Sequence, residues 1–382
     1  MRILFVSPPG HGHLFPVVPA AWALRSAGHE VLVASVGWGT TIATQAGLSA
    51  ADTAPGADLM AVFRASAGAF RPEQWKAPAE GQAPSEEQPP RSGGHPLFCK
   101  LGELMADGTV ALAEQWRPDV IVQSPLGVTA SLAGGKLGIP VVMHAFGLST
   151  NWSWLDDMVY RPLEEVFARH GVTEVPTPAG VVDVAPASMR VGPPGDLPMQ
   201  YVPFNGSGTL PEWALRRSGR PRIAVTLGTV APQVTGLSPL QWIIDAAREI
   251  DAEFILALGN VDASTLGKLP ENVIAAGWVP LDALLATSAA VIHHGGSGTT
   301  MTALAAGVPQ LVLPQGADQF YNADSVVKRG VGIAPAAEAQ NAATIGALLE
   351  DAAIRSATTE VQAEIRAMPL PWKTAPKIAA LG

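Results

Sequence analysis

The sequence predicts an α/β protein built from two doubly wound parallel-sheet, Rossmann-like domains facing each other across a cleft. Three observations carry that expectation. The chain has 382 residues, and at roughly 100–200 residues per domain this length divides into two units, each large enough for its own core. Short apolar runs alternate with helical periodicity in both halves, the pattern of parallel strands joined by crossover helices. Between 191 and 221 the chain is crowded with Pro, Gly and Ser, including Gly192-Pro193-Pro194-Gly195 and Pro203-Phe204-Asn205-Gly206-Ser207-Gly208, which sets a connection there. The resulting division is a first domain over 1–205, a linker over 206–220 and a second domain over 221–365.

The elements follow in order. Residues 2–7 form a short apolar run that ends in a Pro/Gly turn, and a helical pattern through Val17, Ala20, Leu24 and Ala27 stops at Gly28. Glu30–Ser35 reads as a second buried strand, and further strand signals stand at 120–122 and Val141–His144. Residues 70–98 are rich in Pro, Glu, Gln, Gly and Ser and predict a mobile loop, a lid or an acceptor-side loop. The second half repeats the theme with strands at 223–227, 253–258, 273–275, Ala290–His293 and 310–313. Two such sheets in series direct a ligand to the cleft between them, because loops and helix N-termini gather at the carboxyl ends of the strands.

Composition removes several classes of function. Lys and Arg total 24 against 33 Asp and Glu, a net charge of −9, which disfavours a nucleic-acid partner. Charged residues make up 15% and apolar ones 48%, the balance of a folded, well-packed chain. Cys99 is the sole cysteine, so neither an intrachain disulfide nor a multi-cysteine zinc site can form. No run approaches the ~20 apolar residues of a membrane span, and the start of the chain turns at Pro8-Pro9 before a signal peptide could develop. A cytoplasmic protein is expected.

The turn after the first strand reads Gly10-His11-Gly12-His13-Leu14-Phe15-Pro16. Gly10 and Gly12 resemble the start of a dinucleotide fingerprint. Phe15, however, occupies the third glycine position, and Ala34-Ser35-Val36 offers no acid for a ribose, which argues against a nicotinamide or flavin enzyme. A histidine at the mouth of a cleft can serve as a general base, and His13 is the candidate. His11 is read as capping the following helix or satisfying loop carbonyls.

The second chemical segment follows the strand Ala290–His293: His294-Gly295-Gly296-Ser297-Gly298-Thr299-Thr300, leading into a helical pattern that stops at Gly307. Glycines let a backbone approach an anion, a helix start offers unpaired N–H groups and partial positive charge, and Ser297 and Thr299 add hydroxyls. No Walker-type lysine accompanies it, so a nucleoside triphosphatase is not expected. Asp318-Gln319, after the next strand, can accept from and donate to sugar hydroxyls, although such a pair is often only a helix cap. Trp278, in Gly277-Trp278-Val279-Pro280, stands where a flat base could stack, or simply fills the core.

Together these segments resemble the GT-B nucleotide-sugar glycosyltransferases of natural-product biosynthesis, in particular actinobacterial enzymes that attach deoxysugars from dTDP donors to polyketide, enediyne or macrolide aglycones. The resemblance spans essentially the whole chain. It implies that His294, Gly298 and Thr299 hold the donor diphosphate with Thr229 nearby, Gly296 and Ser297 belonging with them to the donor-binding set, that Trp278 and the Val279 backbone recognise the base, and that Asp318 and Gln319 contact the sugar. It implies inverting hexosyl transfer with His13 as base, no metal, no cofactor beyond the dTDP-sugar co-substrate, and a final helix over 366–382 that crosses back to the first domain. The first domain would then bind the acceptor and the second the donor. Phe146, Trp152 and Met158, with Trp154 and Leu155, are the candidate acceptor wall, or else core.

One departure stands out. Many relatives orient the base with an acid after an Arg-Pro-Asp segment, and here Arg117-Pro118-Asp119 leads to Ser124 at that place. A serine or water orients His13, another group does, or the acceptor is acidic enough to need little help, as a phenol or enol would be. The rival readings are another sugar-nucleotide enzyme of the same architecture, such as an epimerase, and a catalytically silent donor-binding partner protein. A homodimer is compatible with the chain, but no self-complementary patch can be read from it.

Overall fold

The computed structural model describes residues 1–67, 95–216, 218–229, 237–259, 261–316 and 318–382. The first sheet contains β1 (Arg2–Val6), β2 (Glu30–Ser35), β3 (Ala50–Asp52), β4 (Val120–Gln123), β5 (Val141–His144), β6 (Gly180–Asp183) and β7 (Leu197–Pro198), all parallel, in the order β3-β2-β1-β4-β5-β6-β7. The second contains β8 (Arg222–Thr226), β9 (Glu253–Ala257), β10 (Val273–Ala276), β11 (Ala290–His293), β12 (Gln310–Val312) and β13 (Gly332–Ile333), again all parallel, in the order β10-β9-β8-β11-β12-β13.

The uninterrupted apolar character of β1 has a direct cause. Ile3 and Phe5 pack into one core cluster while Leu4 and Val6 pack into another on the opposite face, so both faces of the strand are covered. β8 behaves alike, with Ile223 and Val225 on one side and Ala224 on the other. In each sheet the winding reverses once, between β1 and β4 and between β8 and β11. A crevice opens at such a reversal. The loops bearing His13 and Ser124 leave the first pair, and those bearing Thr229 and His294 leave the second.

Of the loop expected over 70–98, residues 70–94 lie outside the described residues. Residues 96–98 are not loop but open the helix Pro96–Trp116, where Pro96 at the first position brings a φ already suited to a helix. The helical pattern after β1 divides into a turn His11–Leu14, a 3-10 turn Phe15–Val17 and a helix Val18–Ser26, with Pro16 and Pro19 at the junctions. Helix Pro371–Ala379 packs on helix Val18–Ser26 and beside β7, tied by Thr374 Oγ1 donating to Pro198 O at 2.8 Å and Gln200 N donating to Pro369 O at 2.7 Å. Among the described residues no helix is long and apolar enough to cross a membrane.

Candidate active site

β11 ends in two histidines with different tasks. His293 is wholly buried, and its Nδ1 accepts the Gly295 N–H at 3.0 Å, so the proton must sit on Nε2, which lies 2.9 Å from Gln310 Oε1. Burial, followed by the neighbouring His294, pushes its pKa down to about 3 and keeps it neutral. The neutral ring thereby holds the glycine turn. His294 lies against the loop after β8, where a Cβ on Gly228 would lie 2.5 Å from its Cε1 and one on Gly296 2.6 Å from its Nε2. Only glycines leave room for that ring. Burial lowers its pKa to about 4, and its Nδ1 is enclosed without a hydrogen-bond partner.

Helix Ser297–Ala306 begins at Gly296 with no side chain capping its first turn, which leaves its leading N–H groups for an anion. Gly298 and Thr299 belong to that turn, and a Cβ on Gly298 would meet nothing within 4 Å. Ser297 is occupied otherwise. Its Oγ donates to Asp318 Oδ2 at 2.6 Å, while the buried Asn322 amide donates to Gly295 O at 2.8 Å and also lies 3.1 Å from both Ser297 Oγ and Asp318 Oδ2. Asp318 occupies the cap position of helix Gln319–Arg329 but makes no side-chain capping bond, and its Oδ2 is taken by Ser297 and Asn322. Protein crowding pushes its pKa up, although one edge still meets solvent. Gln319 Oε1 accepts the N–H groups of Gln315 at 2.8 Å and Gly316 at 3.1 Å, which turns its amide nitrogen away from that loop.

Trp278 lies between the two units. His11 from the first sits 5.2 Å from its ring and Phe15 6.5 Å, while a Cβ on Gly206 would come within 2.8 Å of its Cζ2. His11 is therefore an inter-domain contact in addition to the first residue of its helical turn. Val279, next in the chain, packs partly against the Leu281 and Leu284 core. Thr229 is exposed directly after Gly228, the glycine that makes room for His294. Behind helix Ser297–Ala306 the segment leading into the linker is anchored by Tyr201 Oη donating to Gly298 O at 3.3 Å and Asn205 Nδ2 donating to Thr302 Oγ1 at 3.2 Å.

Across the cleft, His13 stands edge-on between Phe98 at 5.4 Å and Phe146 at 5.7 Å. Its Nδ1 is buried without a partner among the described residues, and burial, then the charge of His95, lowers its pKa to about 4. Ser124 Oγ, directly after β4, is likewise buried without a partner among the described residues. Of the acceptor candidates, Phe146 touches His13 and Trp152 touches Phe146 at 5.8 Å. The Met158 and Leu155 side chains sit in the core of the first unit, and it is the Met158 carbonyl that reaches the site region, accepting His95 N at 2.8 Å. Next to Phe146, Gly147 brings the two halves together, for a Cβ there would lie 2.6 Å from Ser297 Oγ. The His13 wall and the helix start thus meet at one loop.

The chain is similar over its whole length to known proteins. Residues 22–228 match the N-terminal domain, and residues 241–381 the C-terminal domain, of the family described as erythromycin biosynthesis protein CIII-like. The chain belongs to that family. It is 38% identical over 381 residues to the elloramycin glycosyltransferase ElmGT of Streptomyces olivaceus, covering 99% of this chain and 97% of that one. The crystal structure of the glycosyltransferase SnogD from Streptomyces nogalater aligns with a TM-score of 0.82 and 36% identity, over 100% of this chain and 99% of that one. The spinosyn rhamnosyltransferase SpnG complexed with thymidine diphosphate aligns at 0.77 with 32% identity over the whole of both chains. The protein is a glycosyltransferase of the GT-B fold.

The candidate site also contains residues that the sequence pattern did not reveal. His95 and Phe98 fell within the expected loop, Gln310 stood only as the start of a strand, and Asn322 carried no expectation. The two glycine environments make a contrast that can be measured. Gly228→Ala would put a Cβ at φ +75 and against His294, so a loss of about 2 kcal/mol or more in urea unfolding is expected. Gly298→Ala, with open space around it, is expected to leave stability unchanged or slightly raised.

Proposed function

We propose that the enzyme moves a deoxysugar from a dTDP-sugar to a hydrophobic, polyketide-like aglycone with inversion and without a metal, His13 acting as general base. The single observation that carries this reading is the juxtaposition at Gly147: a neutral histidine in an aromatic wall on one side, an uncapped helix start beside a glycine-cradled histidine on the other. The division of labour would be acceptor binding by 1–205, linkage by 206–220, donor binding by 221–365, and a C-terminal segment over 366–382, helical at Pro371–Ala379, returning to the first unit.

His13 takes the proton of the acceptor nucleophile as that atom attacks the anomeric carbon from the face opposite the diphosphate. An α-linked donor then yields a β-like product. The diphosphate charge is met by the first N–H groups of helix Ser297–Ala306, by Thr299 and by His294, fixed dipoles that need no reorganisation. Gln319 donates through its amide nitrogen to a sugar hydroxyl and Asp318 accepts from one. Trp278 stacks on the base, whose edge meets the Val279 backbone. A sole cysteine, Cys99, which leaves no intrachain disulfide to form, supports a cytoplasmic location.

Calorimetric titration with dTDP, UDP and NAD, in buffer free of divalent metal, tests the donor half. Binding of dTDP is expected, with no heat from NAD, and His294→Ala or Gly298→Ala should weaken it at least about tenfold. Folded protein that binds no nucleoside diphosphate would remove the basis for transfer.

A further inference from the structure

Trp278 and the start of helix Ser297–Ala306, assigned above to the base and the diphosphate, stand on separate elements. Trp278 precedes the short helix Leu281–Leu285, and Gly296 precedes the other. A nucleoside diphosphate that reaches both must find them at one fixed spacing.

Asn205 touches both elements. Helix Leu281–Leu285 has Pro280 at its cap position, a residue with no side-chain acceptor to offer the first turn. The Asp282 N–H donates instead to Asn205 Oδ1 at 3.2 Å, across 77 positions of chain. The same amide donates through Nδ2 to Thr302 Oγ1 at 3.2 Å, and that hydroxyl gives its own hydrogen to Gly298 O at 2.7 Å, the carbonyl to which Tyr201 Oη also donates at 3.3 Å. One side chain thereby ties the element after the Trp278 loop to the first turn of helix Ser297–Ala306. An amide suits both ends, since it accepts at one atom and donates at another. Thr302 is wholly buried and Asn205 partly so, which limits competition from water.

The chain continues along the same line. Gly206 has a φ of +83, and a Cβ there would lie 2.8 Å from Trp278 Cζ2, so the backbone itself lies against that ring. Two residues on, a Cβ at Gly208 would lie 3.6 Å from Pro280 Cδ and 3.7 Å from Trp278 Cδ1. From Tyr201 to Gly208 the segment passes behind helix Ser297–Ala306, crosses to helix Leu281–Leu285 and runs along Trp278.

We propose that Asn205 is a positioning residue of the donor site, a brace between the Trp278 loop and helix Ser297–Ala306 that sets the spacing at which a nucleoside diphosphate engages both. This rests on the donor reading above and adds that the second unit does not complete the site alone. A base and a diphosphate joined in one molecule bind more tightly than either part, provided the two subsites hold the matching distance. A loosened brace removes that gain and leaves each subsite intact. Its signature is therefore a loss for the joined ligand without a loss for the parts, a pattern that general loosening of the fold does not produce.

The test uses the full-length enzyme with dTDP, thymidine and inorganic pyrophosphate, the first read by calorimetry and the other two by ligand-observed NMR, which reaches millimolar affinities. Asn205→Ala is expected to weaken dTDP about tenfold and to leave thymidine and pyrophosphate within twofold. Thr302→Val, which keeps the shape of the side chain, cuts the brace at its other end and should give the same pattern. The double variant should bind dTDP no more weakly than Asn205→Ala, because both changes cut one connection. Unchanged dTDP affinity in folded Asn205→Ala, or a fall in thymidine or pyrophosphate binding as large as that in dTDP, overturns the proposal. If Asn205→Ala does not fold, Thr302→Val decides by the same criteria. An unaltered enzyme that binds no dTDP removes the donor reading and the brace together, whereas dTDP binding untouched by these variants removes the brace alone.

Discussion

Replacing His13 by alanine is expected to lower kcat by about 10² to 10⁴, the usual contribution of a positioned general base, while dTDP affinity stays within twofold. The affinity is spared because His13 belongs to the wall of the first unit and not to the glycine loop that surrounds His294. The pH profile carries a second signature. Burial and the His95 charge bring the His13 pKa down to about 4, and a base must be unprotonated to act. Activity on account of His13 should therefore be flat from pH 8 down to about 5 and fall only as pH drops through about 4. Assays by rapid pH jump, completed before unfolding, read this limb. His95→Gln removes the like charge and should move the limb upward. A limb at the ordinary histidine value of 6.5 in the unaltered enzyme would show that His13 is either solvated in the working state or not the base.

How much of this was legible before the fold was seen depends on where the determining interaction lies. β1 and β11 were readable because strands buried on both faces are apolar throughout, and their following glycines mark the turn with no help from distant residues. β3, β7 and β13 have two or three residues, too few to display any period, and they exist because an edge of a formed sheet was available to them. The architecture followed from the repeated pattern even though these strands did not.

The site divides in the same way. The glycine loop and the His13 turn are local, and each could be placed from its own neighbours in sequence. His95 and Phe98 could not, since a preceding stretch of Pro, Glu, Gln and Ser masks the helix that Pro96 begins, and their link to His13 crosses more than eighty positions. Ser297 shows the limit for residue type. A hydroxyl at a helix start is a sound expectation for an anion donor, but its hydrogen goes to Asp318, a partner brought near by the crossover from β12 and by Asn322 one helical turn beyond. Met158 shows the converse, an apolar residue spaced like an acceptor wall whose side chain enters the core while its carbonyl holds His95.

Acid should unfold this enzyme well above the range in which its carboxylates titrate, because its buried histidines are built to be neutral. His144 and His293 are wholly buried. His144 Nδ1 donates to Ala145 O at 2.7 Å and its Nε2 has no partner, so a second proton would have no acceptor; protonating His293 would turn Nδ1 into a donor facing the Gly295 N–H. Burial holds their pKa values at about 4 and about 3 against 6.5 for the free side chain. Between those values the unfolded chain binds protons that the folded chain refuses, so stability rises with pH there and is lost as pH falls from 6.5 toward 4. Each residue accounts for something on the order of 3 to 5 kcal/mol across that interval. His13 and His294 act in the same direction, while Asp282 and Asp318, whose carboxyl pKa values are raised by burial, offset part of the loss below pH 5. Calorimetric unfolding at pH 5.5, repeated in buffers of different ionisation enthalpy, should report an uptake of about two to four protons per chain and a melting temperature well below that at pH 7.5. Uptake near zero would mean that these histidines are already protonated in the fold, and that the neutral ring assigned to His293 does not hold the glycine turn.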